Sequence, residues 1–210
     1  MITFYVVRHG ETLLNSLGRA QGWSDSPLTD NGKKTANELG IKLRGITFNA
    51  AYTSDMMRAE QTAKLILSKS GNDTLKIQKN MNLREWCLGS MEAEHNSLFI
   101  QTLSDWLGVS SFVELNKRLS DVAMAIYEHD TTGTAESFAD ISNRLRNIFF
   151  DIAQSEPQNE NSNILIVTHA FAIKTLFYLF APEKLCVVDK VKNASILKLS
   201  YNGNTFSFEE

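Results

Sequence analysis

Arg8-His9-Gly10 closes a short apolar run, Ile2 to Val7, and delivers side chains suited to phosphate chemistry. A guanidinium is a planar fork of donors matched to phosphoryl oxygens. An imidazole is a nucleophile near neutral pH. Gly10 lets a bulky anion approach the backbone. A second histidine, His169, ends a second apolar run, Ile164–Val167. There an imidazole N–H can donate to a phosphoryl oxygen as charge shifts in the transition state. Arg58 falls early in an expected helix, near its positive end, where a cation is awkward unless an anion neutralises it; a bound phosphate would do so. Glu85 lies in Leu83-Arg84-Glu85, a loop-like stretch before Gly89, and partial burial there would raise its pKa toward that of a proton donor. Each residue also has a plainer reading: an ion pair for Arg8 or Glu85, a hydrogen-bonded core position for either histidine, a solvated helix face for Arg58. Two histidines at two strand ends are what favours chemistry.

The elements that must position these groups follow from apolar periodicity. Ile2–Val7 reads as a first buried strand. Pro27-Leu28-Thr29-Asp30 reads as a turn into a helix with Thr29 as N-cap and Ala36, Leu39, Gly40 and Leu43 as its apolar stripe. Ala50–Thr53 is a second strand, Met57 to Ser70 a helix closed by Gly71-Asn72, and Leu75–Gln78 an edge strand. Between 90 and 132, one amphipathic helix is predicted around Leu98–Leu107 and a second over Phe112–Ile126, read as an insertion over the sheet. Glu136 to Ala153 is helix, Gln158–Asn163 a polar loop, Ile164–Val167 a strand and Phe171 to Phe180 a helix stopped before Pro182. Strands at Cys186–Val188, Ser195–Ser200 and Thr205–Phe208 finish the chain, the last two joined at Asn202-Gly203 as a hairpin. Alternation of strands and helices predicts an α/β fold with a mostly parallel sheet covered on both faces. In such sheets ligands bind beyond the carboxyl ends of strands, where His9 and His169 both fall.

Composition narrows the classes. A chain of 210 residues, 43% hydrophobic, predicts one domain over 1–210 with a helical cap at about 90–132. A net charge of −3 without single-sign runs implies no affinity for nucleic acid or anionic membrane. Cys87 and Cys186 form neither a CxxC nor a zinc-type cluster, no basic region precedes the first apolar run, and no run reaches about 18 apolar residues. A cytoplasmic protein is expected. Apolar positions on the insertion helices are compatible with a homodimer, which nothing requires.

The ordered segments resemble the histidine phosphatase superfamily, the phosphoglycerate-mutase-like group. They are Arg8-His9-Gly10-Glu11-Thr12 with Asn15, Pro27-Leu28-Thr29 with Gly32, Ser54-Asp55 through Arg58-Ala59 and Gln61-Thr62-Ala63, Leu83 with Glu85 and Gly89, and Thr168-His169. The resemblance runs from Ile2 to about Leu199 and implies a three-layer α/β/α sandwich. By it, His9 becomes a phosphohistidine, Arg8, Arg58 and His169 clamp the phosphoryl oxygens with help from Asn15, and Glu85 protonates the leaving group and then activates water. It also implies no metal and no cofactor, and a small phosphorylated substrate as the partner. Three departures bear on substrate contacts. Ala170-Phe171 stands where Gly-Gly is frequent, though Ala170 still offers a backbone N–H; Ala93 follows Glu92 where a glycine is common; and Ala135-Glu136-Ser137 replaces Gly-Glu-Ser.

Cofactor-dependent mutases of this family carry Glu-Arg-His-Tyr-Gly at the acid position, whereas this chain has Glu85-Trp86-Cys87-Leu88-Gly89. Trp86, Cys87 and Leu88 add no cation for a second phosphate, so a phosphomonoester phosphatase is the expectation and mutase-type phosphotransfer the alternative. A metallohydrolase using His9 and His169 lacks HExxH or HxxEH spacing. A non-catalytic phosphate-binding protein on the same fold is the remaining alternative.

Overall fold

The computed structural model describes residues 1–156, 161–185 and 190–209. Six strands form one sheet in the order β3-β2-β4-β1-β5-β6. They are β1 (Ile2–Arg8), β2 (Ala50–Thr53), β3 (Ile77–Lys79), β4 (Ser162–Thr168), β5 (Ile196–Tyr201) and β6 (Phe206–Phe208). Strands β3, β2, β4 and β1 run parallel, while β5 is antiparallel to β1 and β6 antiparallel to β5. The predicted mostly parallel sheet is therefore present, with its two antiparallel members at one side.

Alternation of side chains along the central strands sends residues to two cores. Phe4, Val6, Ile164 and Ile166 face one apolar cluster with helices α7 (Phe138–Ser155) and α8 (Ala170–Phe180). Tyr5, Val7, Leu165 and Val167 face another with α2 (Asp30–Lys42) and α3 (Met57–Ser70). Both faces of β1 and β4 are thus buried, which is why these strands read as unbroken apolar runs. Thr29 caps α2 by accepting from the Gly32 N–H, and α3 ends at Gly71 in the left-handed region (φ 86°). A short α1 (Leu13–Ser16), which the sequence reading lacks, is held by a capping box between Thr12 and Asn15.

The insertion departs from expectation in one respect. One helix, α4 (Asn96–Leu107), forms as predicted, but the predicted second helix is two, α5 (Phe112–Lys117) and α6 (Leu119–His129). The chain leaves helical geometry at Arg118 (φ −108°, ψ 44°), whose guanidinium donates to the Leu107 carbonyl and to Asp121. An apolar period continues through a kink as readily as through a straight helix, so spacing alone does not reveal the break. Smaller shifts occur elsewhere. β1 reaches Arg8, β3 lies two residues late, α7 begins after a Ser137 cap, and β4 starts at Ser162, inside the expected polar loop. Residues 158–160 of that loop, and the predicted strand Cys186–Val188, lie outside the described residues. Among the described residues no helix is long and apolar enough to cross a membrane.

Candidate active site

Register brings the two histidines together. Arg8 pairs with Thr168 across the parallel β1–β4 ladder, so His9 and His169 are the next residues on neighbouring strands. Their ring centroids lie 5.1 Å apart. The His9 backbone N–H donates to the Thr168 carbonyl (2.9 Å), continuing the ladder past the strand end. His9 Nδ1 lies 2.8 Å from the Gly10 carbonyl oxygen. A carbonyl only accepts, so Nδ1 holds the proton and Nε2 carries the lone pair. Burial, then the Arg58 and Arg8 charges, hold the His9 pKa well below the ordinary imidazole value. The ring is neutral and nucleophilic as a result.

His169 is fully buried, and burial followed by Arg58 and His9 keeps it neutral too. Its Nε2 lies 2.7 Å from Ser54 Oγ, and its Nδ1 has no protein partner. A hydroxyl donates or accepts, so this contact fits either tautomer; when Ser54 donates, the His169 proton sits on Nδ1. Ser54 follows β2, whose Thr53 pairs with Val167, so the same sheet register supplies this contact.

The two arginines reach the site differently. Arg58, fully buried on the first turn of α3, donates through Nη1 to the Ser24 carbonyl (2.8 Å) and Asp25 (3.1 Å), and through Nη2 to the Gly22 carbonyl (2.6 Å). Asp25 also accepts the Met57 N–H at the helix start (2.6 Å). The anion expected at this cation is therefore supplied in part by Asp25, which the sequence reading missed; its signal is only an acidic residue in a loop. Arg8 Nη1 donates to the Val191 carbonyl (2.7 Å). Among the described residues Arg8 Nε and Arg58 Nε are buried donors without a protein acceptor, and His169 Nδ1 is a buried ring nitrogen without a partner. Buried polar groups are ordinarily satisfied, so two orphan guanidinium donors and an orphan ring nitrogen beside one another's charges suit a bound anion.

Glu85 sits at the N-terminus of α8. One carboxylate oxygen accepts from the Trp86 and Ala172 N–H groups (3.1 and 2.8 Å), the other from Phe171 N–H (3.0 Å). It caps the helix in place of His169, whose side chain makes no cap bond. Burial raises its pKa above the usual carboxylate value, opposed by those N–H donors. The oxygen facing Phe171 takes one N–H and keeps a lone pair for a proton.

A cavity of about 420 Å³ is lined by Arg8, His9, Asn15, Glu85 and Ala170 among others. Arg58 and His169 do not line it; they stand behind it, wholly buried. Asn15 Oδ1 accepts from the Thr12 N–H and from Asn193 Nδ2, and Asn193 also donates to the His9 carbonyl. At Gly10 a Cβ would stand 2.7 Å from the Gly32 carbonyl oxygen, so this glycine is also what lets α2 pack. Among the described residues no group of three His, Cys, Asp or Glu is arranged to hold a metal.

Two supports escaped the sequence reading. Glu92 accepts from the Gly22, Trp23, Ser24 and Leu88 N–H groups and from Ser24 Oγ, which shapes the loop whose carbonyls hold Arg58. Arg144 on α7 makes two bonds to Glu136 (2.6 and 2.8 Å) and donates to the carbonyls of Asn82, Arg84 and Glu85. Glu136 in turn accepts the Cys87 N–H. The pair clamps the loop bearing Glu85 on both sides. Glu136 lies just before the Ser137 cap of α7 and Arg144 about two turns into the helix, but nothing local names the carbonyls Arg144 meets.

Comparison with known proteins places the chain in a family. The family profile of the histidine phosphatase superfamily (branch 1) matches residues 4–210. The chain is 31% identical to the probable phosphoglycerate mutase GpmB of Erwinia tasmaniensis over 176 residues, covering 84% of this chain and 73% of that one. The crystal structure of phosphoglycerate mutase from Bacillus anthracis str. Sterne superposes with a TM-score of 0.90 at 35% identity, covering 99% of this chain and 91% of that one. Phosphoserine phosphatase of Entamoeba histolytica, solved with 3-phosphoglyceric acid, superposes with a TM-score of 0.73 at 25% identity, covering 100% and 96%. With its two histidines meeting at the ends of β1 and β4, the chain belongs to the histidine phosphatase superfamily, branch 1.

Proposed function

We propose that this chain is a metal-independent phosphomonoester phosphatase that works through a phosphohistidine on a small phosphorylated metabolite. The observation that carries the reading is the neutral His9 ring with Nε2 left free, 5.1 Å from the His169 ring and within reach of the Arg58 and Arg8 charges, where three buried nitrogens lack partners. In the first step His9 Nε2 bonds to phosphorus as the ester P–O bond breaks. Glu85 gives its proton to the departing oxygen, a role its raised pKa suits. Arg8 Nε, Arg58 Nε and His169 Nδ1 take up charge on the phosphoryl oxygens, the main catalytic demand in such transfers. In the second step Glu85, now a carboxylate, removes a proton from water. That water attacks phosphorus, the N–P bond breaks, and inorganic phosphate leaves.

Hydrolysis is favoured over mutase chemistry by the segment after Glu85, where Trp86 and Leu88 are buried apolar side chains and Cys87 a buried thiol. One observation favours mutase-type transfer as the second reading: Arg19 and Lys190 line the same cavity and could meet a second anionic group. Two measurements separate the readings. Released inorganic phosphate over a panel of phosphomonoesters, abolished together with acid-labile labelling in His9→Ala, supports the phosphatase. Rapid interconversion of 3-phosphoglycerate and its isomer that depends on 2,3-bisphosphoglycerate supports the mutase. Normal turnover in His9→Ala overturns both.

A further inference from the structure

The wall of the cavity beside Glu85 is an aromatic pair. Phe171 stacks on Trp86 with centroids 4.7 Å apart and planes at 18°. Trp86 is 1% exposed and fixed by its indole N–H on Thr175 Oγ1 (3.0 Å) and by the edge of Phe138. Phe171 is held on the same side by its own backbone, since its N–H binds Glu85 and its carbonyl accepts from Thr175. These bonds fix the Phe171 backbone, and its ring rests on the buried Trp86 face. It stands next to the carboxylate assigned to the leaving oxygen, so it flanks whatever carbon group that oxygen carries.

Phe99 and Ile100 of α4, with Leu88 and Ala20, add apolar surface to the same cavity, whose side-chain amides are those of Asn15, Gln21 and Asn96. Apart from Arg8, its cations are Arg19, already donating to the Ala93 carbonyl, and Lys190, which is exposed. Phe171, Phe99 and Ile100 also line a second cavity of about 20 Å³ beneath α5 and α6. These three side chains are the partition between the two spaces. A slot with apolar walls gains from burying apolar surface and loses when polar groups enter without partners.

Resting on the phosphatase reading above, we propose that Phe171, backed by Trp86, is the specificity-determining wall of the leaving-group slot. It selects phosphomonoesters whose ester oxygen carries a flat apolar group, such as a substituted benzyl or aryl ring.

The test compares benzyl phosphate with propyl phosphate, two esters of primary alcohols, so that leaving-group basicity is nearly matched. Wild type should prefer the benzyl ester by about tenfold or more in kcat/KM. In Phe171→Ala that ratio should fall to about twofold, and 2-naphthylmethyl phosphate should gain on benzyl phosphate because the partition has gone. A relative gain for the larger ester is not what general structural damage produces. Phe171→Leu, which keeps the wall apolar but not flat, should give an intermediate ratio and serves if the alanine variant does not fold. Equal use of the benzyl and propyl esters by wild type, or an unchanged ratio in both variants, overturns the wall while p-nitrophenyl phosphate turnover leaves the phosphatase standing. Hydrolysis of none of the esters, p-nitrophenyl phosphate included, overturns the phosphatase reading and the wall with it.

Discussion

Replacing Arg144 with methionine tests how Glu85, the proposed proton donor, is held. The guanidinium makes five hydrogen bonds, two to Glu136 and three to the carbonyls of Asn82, Arg84 and Glu85. Its side chain is 11% exposed and that of Glu136 14%, so solvent screens the pair little. Removing one partner of a buried pair costs about 3–5 kcal/mol, because the other charge is left uncompensated. For a chain of this length each kcal/mol is worth about 2–4 °C, so the melting temperature should fall by roughly 6–20 °C. Removing Glu136 as well, in Glu136→Leu/Arg144→Met, should recover part of the loss. Activity should respond selectively. A shift of about 1 Å in a reacting group costs about a hundredfold, and Glu85 matters most when the leaving group is a poor one. Arg144→Met should slow propyl phosphate far more than p-nitrophenyl phosphate, whose leaving group needs little protonation. The assays are thermal melting and kcat/KM for both esters. A melting temperature within about 3 °C of wild type, with an unchanged ratio of the two rates, refutes the clamp.

Two further outcomes are expected. Glu92→Gln puts an amide N–H against the backbone donors of the loop that carries Arg58, so inorganic phosphate should inhibit roughly tenfold more weakly; an unchanged inhibition constant would separate Glu92 from the anion site. His9 and His169 are held below their ordinary value of 6.5 in the folded chain, so acidification protonates the unfolded chain first. Their contribution is therefore intact above about pH 6.5 and is lost as pH falls toward the folded values. Glu85, raised, contributes in the opposite sense, losing its share as pH rises through its folded value. Urea midpoints should drop between pH 7 and pH 5, and less so in His9→Asn; a flat or rising stability over that range contradicts neutral buried rings.

What the sequence disclosed and what it hid follow from the range of the forces involved. β1, β2, β4, α2 and α3 were legible because their signals are local: apolar runs, a Thr29 cap, a glycine at position 71. His9 and His169 were legible as strand-end residues, and parallel register does the rest. Asp25, Ser54 as a partner of His169, Glu92 and Arg144 were not, because each acts on groups 33 to 115 positions away or on several backbone atoms at once. The break at Arg118 was hidden because apolar spacing is the same on either side of a kink.

The β1–β4 ladder has a consequence for how the molecule wears. The His9 and His169 rings hang from two strands buried on both faces, one residue past a seven-residue ladder. Their neighbouring amides should exchange with solvent only when the whole sheet opens, at the slowest rate in the chain. Fraying of an end or of a surface helix leaves the reactive geometry untouched, so ageing or mild denaturant should yield a mixture of fully competent and fully dead molecules, with no half-active form between them.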